Sequence, residues 1–258
     1  MIRTALKTAF AHKLRLAMTA MSVMIGVAFI AGTFIFTDTI NDTFNDLFED
    51  TFAGQDVIVQ AEAEFDVGFG GPPPIDEAVL PVVLGVNGVS AAEGTVTGFA
   101  VIYDNEGEAI VPAGPPTLGV SGSQDERLRG NVEIREGREP AGLGEVAIDA
   151  KTAGDNGLVV GETVRIQTVD GVADYDLVGI IGFGEADNFA GATIAVWDLP
   201  SAQKVLGLEG VYNAITVVGD DGVNPDVLRN SIAAVLPDGV EAVTAADEAA
   251  AQSETLQE

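Results

Sequence analysis

The stretch that most constrains this chain is Leu16–Phe36, LAMTAMSVMIGVAFIAGTFIF, 21 residues without a charge. As a helix it would reach roughly 31 Å, close to the hydrocarbon thickness of a bilayer. A lone segment crosses lipid only as a helix, because every backbone N–H and C=O must find its partner within the segment. Gly26 and Gly32 would weaken a soluble helix but are ordinary in a membrane one. Ala28, Ala31 and Gly32 fall on one surface, a candidate face for close packing against another helix. A cleaved signal peptide and a buried core helix compete with the anchor. The apolar run is longer than a signal peptide's, and Ala28-Phe29-Ile30-Ala31 has the wrong spacing for cleavage. The span 16–36 therefore reads as a transmembrane helix.

Charge orients it. Arg3, Lys7, Lys13 and Arg15 precede the span with no acidic residue among them. All 40 acidic residues follow it, against eight of the twelve basic ones, a net of −32. The positive-inside rule puts the N-terminus in the cytoplasm and everything after about residue 37 outside the plasma membrane. Residues 1–15 read as a cytoplasmic leader, either an amphipathic helix in the headgroup plane or a plain basic flank. Residues 37–52 read as a stalk helix with one apolar stripe, Ile40, Phe44, Phe48 and Phe52, opposite Asp and Asn. That stripe reads as a packing surface, a candidate coupling surface, rather than a ligand site.

About 220 residues remain, enough for a medium domain with a real core. Strong acidity excludes nucleic acid as a partner, since no basic patch can neutralise phosphates. With no Cys, there are no disulfides and no thiolate metal sites, and the single His, His12, lies in the leader. No P-loop and no G-x-S-x-G motif occur. Asp220-Asp221-Gly222-Val223-Asn224 reads as a turn and helix cap rather than a calcium loop. The chain is predicted to be no enzyme, with no catalytic, cofactor or metal residue.

Along the domain, strands are predicted at 56–60, 90–103 and 109–112, with a helix at 75–84 that Pro81 weakens. Residues 114–130 read as loop, with SGSQDERLRG as a hinge. A strand-rich module follows at 131–184, a small antiparallel barrel or folded sheet in which Val164, Ile166 and Thr168 alternate with Thr163, Arg165 and Gln167. Next come a strand at 191–196, a helix capped by Asp198, a strand at 211–218, a helix capped by Asn224 and opened by Pro225, and a strand at 239–244. Two strand–helix–strand units split by an insertion predict an α+β, split-βαβ (ferredoxin-like) domain over 53–130 and 185–244, carrying the β-rich insertion 131–184. Residues 245–258 favour helix.

Gly137 to Phe183, GREPAGLGEVAIDAKTAGDNGLVVGETVRIQTVDGVADYDLVGIIGF, resembles a run that recurs in the extracytoplasmic domains of FtsX-like/MacB-like ABC transporter permeases, notably actinobacterial ones. The matching positions are Gly137, Arg138, Pro140, Glu145, Val146, Asp149, Gly157, Leu158, Val160, Gly161, Val164 and Gly179. GATIAVWDLPSAQKVLG, GVNPDVLRNSIAAVLPDGVEAVT and the basic leader, span and acidic helix are similar too. The resemblance implies a permease subunit whose first membrane helix leads through a stalk into a porter-like βαβ domain with a β-rich insertion. It implies that 245–258 opens a second stalk towards further membrane helices. A separate cytoplasmic ABC ATPase would bind ATP and drive motion that the stalks pass outward, for export or for handling lipid or envelope substrates. Membrane lipid and a second permease copy would be the other partners. The residues also allow a single-pass, membrane-anchored binding or sensing module without transport, and a secreted enzyme as a weaker third reading.

Overall fold

The computed structural model describes residues 18, 21–33, 54–62, 73–112, 116–189 and 191–255. Two units are described separately, residues 1–44 and 45–258. In the first, residues 21–33 are helical and exposed on every side, including Met21, Met24, Ile25, Phe29 and Ile30. The Thr33 hydroxyl donates back to the Phe29 carbonyl at 2.9 Å. Among the described residues no helix is long and apolar enough to cross a membrane. Residues 16, 17, 19, 20 and 34–36 of the expected span lie outside the described residues, as do the leader and residues 37–53.

The second unit contains the split-βαβ sheet. Its strands are β1 (Val57–Ala61), β3 (Val89–Thr95), β13 (Ala214–Gly219) and β14 (Val240–Thr244), in the order β14-β1-β13-β3. All three pairings are antiparallel. Helix α1 (Val79–Leu84) lies between β1 and β3 in the chain, and α4 (Pro225–Ala233) between β13 and β14. This is the expected α+β architecture. Val57, Val59, Ile215 and Val217 pack with Val79 and Val83 of α1 and with Leu228 and Ile232 of α4. The opposite face carries Ile58, Thr216 and Glu93 in one row across β1, β13 and β3. Helix α5 (Ala245–Thr255) lies against it, where Gln60 donates to Glu248 at 3.1 Å and Ala245 and Ala249 are buried. The start of β1 and the end of β14 meet: Val57 pairs with Thr244, and Ala245 N donates to the Asp56 carbonyl at 3.0 Å.

Between β3 and β13, where a plain split-βαβ sheet has a hairpin, the chain builds a second sheet. Its strands are β4 (Thr97–Phe99), β5 (Val101–Tyr103), β6 (Thr117–Gly122), β7 (Val132–Gly137), β8 (Glu145–Asp149), β9 (Thr163–Thr168), β10 (Gly171–Phe183) and β11 (Thr193–Asp198). The order is β4-β6-β11-β8-β10-β9-β5, with β7 also on β10. Outgoing and returning chains are stitched at the junction. Asn213 N donates to the Thr95 carbonyl at 2.9 Å, and Thr97 N to the Asn213 side chain at 2.8 Å. A hydrophobic core runs without a break through both sheets, from Val57 and Ile215 to Ile102, Ile148, Ile166 and Trp197.

Several local expectations are corrected. The insertion drawn at 131–184 is wider in its hydrogen bonding, because its sheet takes strands from Thr97 to Asp198. It is mixed rather than antiparallel: β8 runs parallel to β10, and β6 to β11. The strand expected over 90–103 breaks at Val96, whose N–H donates to the Ser121 hydroxyl and whose carbonyl accepts from Ser121 N, both at 3.0 Å. The stretch read as loop contains β6, hidden by Gly119 and Gly122. A Cβ at Gly119 would sit 2.9 Å from Leu206 and 3.0 Å from Trp197, so glycine marks close packing there. The helix expected from Ile75 starts at Val79, because Ile75 and Asp76 form β2 and pair with β12 (Val211–Tyr212). Pro81 then falls in the first turn of α1, where its missing N–H leaves no bond unmade.

Other local features match. Asp198 caps α3 (Leu199–Val205), accepting from Ser201 N at 3.1 Å, and Asn224 caps α4 with Pro225 behind it. In β9, Val164, Ile166 and Thr168 are buried and their neighbours exposed.

Candidate functional site

The residues of the recurring motif converge on the middle of β10. Gly137 ends β7 with φ 76°, and a Cβ there would overlap the Val178 carbonyl. One residue on, Arg138 N donates to that same carbonyl at 2.9 Å. A Cβ on Gly179 would in turn overlap the Arg138 carbonyl. Two backbones cross here with no room for a side chain on either, which is why glycine stands at both positions.

Arg138 then turns to Glu145 at the head of β8. Its two terminal nitrogens donate to the two carboxylate oxygens at 2.7 and 2.6 Å, and Ala141 N adds a bond at 2.9 Å. The Arg138 guanidinium, and after it the Ala141 N–H, pull the Glu145 carboxyl down to about 2. The loop between is tied down at Pro140, buried, whose carbonyl accepts from Gln124 at 3.1 Å. Beside it Arg129 pairs with Glu139 at 2.5 Å.

At the far end of β8, Asp149 is fully buried and holds two elements. One oxygen accepts from Thr152 N at 2.8 Å, capping α2 (Ala150–Asn156). The other accepts from Ile194 N on β11, also at 2.8 Å. Burial pushes this carboxyl up despite both bonds. Helix α2 closes on Gly157, φ 65°, in a left-handed cap. Leu158 enters the core, and Gly161 N donates to the Leu177 carbonyl at 2.8 Å, returning the chain to β10. Val160 lies against Gly137.

Each motif position thus builds one rigid corner of the large sheet. Arg138 and Glu145 neutralise each other, so neither is a free acid, base or anion receptor. Among the described residues no three acidic side chains gather closely enough to hold a metal ion. Two apolar side chains of the corner face solvent, Leu143 at 64% and Val159 at 51% exposure, on the two loops that flank β10, beside the exposed Arg138.

Of the residues singled out in the sequence, Ile40, Phe44, Phe48 and Phe52 lie outside the described residues. Ala28, Ala31 and Gly32 are exposed on the helix 21–33, three and four positions apart. The double role of Asp149 was not foreseen, although an Asp directly before a short helix is a signal for half of it.

A family model described as the MacB-like periplasmic core domain matches residues 16–235. The chain belongs to that family. This MacB-like chain is an extracytoplasmic component of the ABC transporter type. Two solved structures share its fold. One is the periplasmic region of MacB from Actinobacillus actinomycetemcomitans, 10% identical, covering 81% of this chain and 97% of that one, with a TM-score of 0.55. The other is the extracellular domain of the noncanonic ABC-type transporter YknZ from Gram-positive bacteria, 12% identical, covering 73% and 98%, with a TM-score of 0.52. No curated protein matches the sequence. At these identities the likeness lies in the arrangement of sheets, which the MacB-like chain reaches with its own side chains.

Proposed function

We propose that this chain is the permease subunit of an ABC transporter, or the N-terminal part of one. A separate cytoplasmic ATPase binds and hydrolyses ATP, and the permease passes the resulting motion to its extracytoplasmic domain for export or for handling envelope lipids. The observation that carries this reading is an apolar helix, exposed all round at residues 21–33, ahead of a MacB-like domain. Such a helix has no face suited to water, and lipid is the solvent that accepts it. The basic residues Arg3, Lys7, Lys13 and Arg15 support a cytoplasmic N-terminus, next to where the ATPase works. A second permease copy and surrounding lipid complete the assembly.

The test is retrieval of the tagged chain from detergent-solubilised membranes of its own organism. An ABC ATPase should co-purify, and the eluate should hydrolyse ATP. A clean preparation of this chain alone, with no ATPase in repeated retrievals, would sink the reading and favour a single-pass binding or sensing module.

A further inference from the structure

The outer wall of the large sheet carries an apolar face that the motif corner does not use. Strands β4 and β5 belong to one run of chain, residues 97–103, bonded to β6 by its first half and to β9 by its second, so the sheet closes on itself as a barrel. Side chains alternate through that run. Ala100 and Ile102 are buried inside, while Phe99, Val101 and Tyr103 point outward. The strand pairings set their neighbours. Val101 lies level with Gln167 of β9 and, through it, with Val172 of β10. On its other side, the Tyr103–Ala109 bridge and the bond from Ile110 N to the Ile102 carbonyl at 2.8 Å bring Val111 alongside Val101. Val169, two residues beyond Gln167, extends the face towards Phe99. Phe99, Val111, Val169 and Val172 are each more exposed than buried. Large apolar side chains gathered on one exposed face mark an interaction site, whereas single ones need no explanation.

The polar groups within the face are satisfied by one another. The Tyr103 hydroxyl donates to the Gln167 side-chain carbonyl at 2.7 Å, and Arg165 pairs with Asp174 at 2.9 Å in the next row. The centre is therefore neutral, but both ends are acidic. Asp104, Glu106 and Glu108 stand in the turn after β5, and Asp170 in the turn between β9 and β10. Among the described residues none of these carboxylates is in an ion pair. The strands at the centre of the face are hydrogen-bonded on both sides, β5 to β9 and to residues 109–110, and β9 to β5 and β10. No edge is open there for an added strand, so whatever docks must pack side chains onto side chains.

We propose that this face is a docking site for a basic amphipathic helix of a partner protein. The apolar stripe of such a helix lies on the valines and Phe99, and Lys or Arg at its two ends meet Asp170 at one end of the face and Asp104, Glu106 and Glu108 at the other. From Phe99 to Asp104 the strand advances roughly 17 Å, about three turns of helix. The acidic ends also select against other occupants. A second copy of this chain, laid face to face in either direction, sets acidic ends against acidic ends, and an anionic lipid surface is repelled by both. The docking site concerns the extracytoplasmic domain alone and stands whether or not an ATPase binds the chain.

The chain has no cysteine, so Thr163→Cys, exposed on β9 at the margin of the face, takes a single environment-sensitive dye. A helical Leu/Lys peptide of about four turns is titrated into the labelled full chain in phosphatidylcholine nanodiscs. The peptide should bind and shift the dye. Its Kd should rise about tenfold or more when Phe99→Ser and Val172→Ser are combined. Val227→Ser, which removes an exposed apolar side chain on α4, should leave the Kd unchanged. The same peptide with Glu in place of Lys should not bind. Trp197 fluorescence reports whether the double variant folds. If it does not, Val111→Ser reads the other margin of the face and should weaken binding about threefold or more. No dye response to the Leu/Lys peptide, native affinity in the serine variants, or equal binding of the Glu peptide would each overturn the docking site. Cross-linking of two unlabelled Thr163→Cys chains by a short bismaleimide in detergent would assign the face to a second copy. A dye response to phosphatidylglycerol vesicles without peptide would assign it to lipid, and either result would equally overturn the proposal.

Discussion

Asp149 and Asp198 occupy the same local position, each the N-cap of a seven-residue helix that begins as its strand ends. They differ in one bond. Asp198 accepts from Ser201 N alone, whereas Asp149 accepts from Thr152 N with one oxygen and from Ile194 N, on the neighbouring strand, with the other. Replacing Asp198 by Ala should lose an ordinary cap, about 1 kcal/mol. Replacing Asp149 by Ala loses the cap and also strands a buried N–H, a further 1–3 kcal/mol, for about 2–4 kcal/mol in all. In a domain of this size that lowers Tm by roughly 5–15 °C. Asp149→Asn should fall between, because the amide offers one acceptor and turns its NH2 group towards the other N–H. The chain's one tryptophan, Trp197, is fully buried beside Tyr175 in the same large sheet, with ring centroids 5.4 Å apart. Its fluorescence during urea unfolding of the full chain in detergent is therefore the assay. If Asp149→Ala costs no more than Asp198→Ala, the bond to Ile194 contributes nothing and the buried carboxylate is not the tie between β8 and β11.

Gly179→Ala should destabilise by about 1–3 kcal/mol in urea unfolding, since its Cβ meets the Arg138 carbonyl, while Gly154→Ala in α2 meets open space and should stabilise by about 0.5–1 kcal/mol. In Arg138→Gln the Glu145 carboxyl, freed of its guanidinium, should titrate well above about 2 by carboxylate NMR. A depressed carboxyl contributes stability above its unfolded value and loses it as pH falls through the folded one, so the native domain should weaken between about pH 4.5 and pH 2 and the variant should lack that slope. In a complete transporter, Phe44→Asp or Phe48→Asp should uncouple ATP hydrolysis from outer function without blocking membrane insertion. Unchanged activity in both would count against the stripe as a coupling surface.

What the sequence made legible was local. Asn224-Pro225 and Asp198 announce helix starts because a cap needs only neighbours in the chain, and the alternation across β9 follows from the two-residue period of a strand. What it hid depended on partners far along the chain. β6 carries two glycines that argue against a strand until Leu206, Trp197 and Val196 are seen filling the space above them. Ile75 and Asp76 read as helix because Val211 and Tyr212, their strand partners, lie more than a hundred residues away. The site divides the same way. The motif positions stand out as a pattern, but their meeting on β10 is set by strand order. The bonds from Ser123 to Glu93 and from Arg127 to Ser90 left no trace, because they span 30 and 37 residues.

The meeting of β1 and β14 also has a mechanical side. Chain enters β1 at Asp56 and leaves β14 at Ala245, so its two exits from the sheet lie on adjacent, antiparallel strands, joined at that corner by the bond from Ala245 to Asp56 and by the Val57–Thr244 pair. Force that draws the two exits apart acts across the strands and falls on one bond at a time, as on the end of a zipper. Force that moves both exits together leaves every rung of the ladder unstrained and tips the domain as a solid body. The fold is therefore stiff towards concerted motion of its two exits and weak towards their separation.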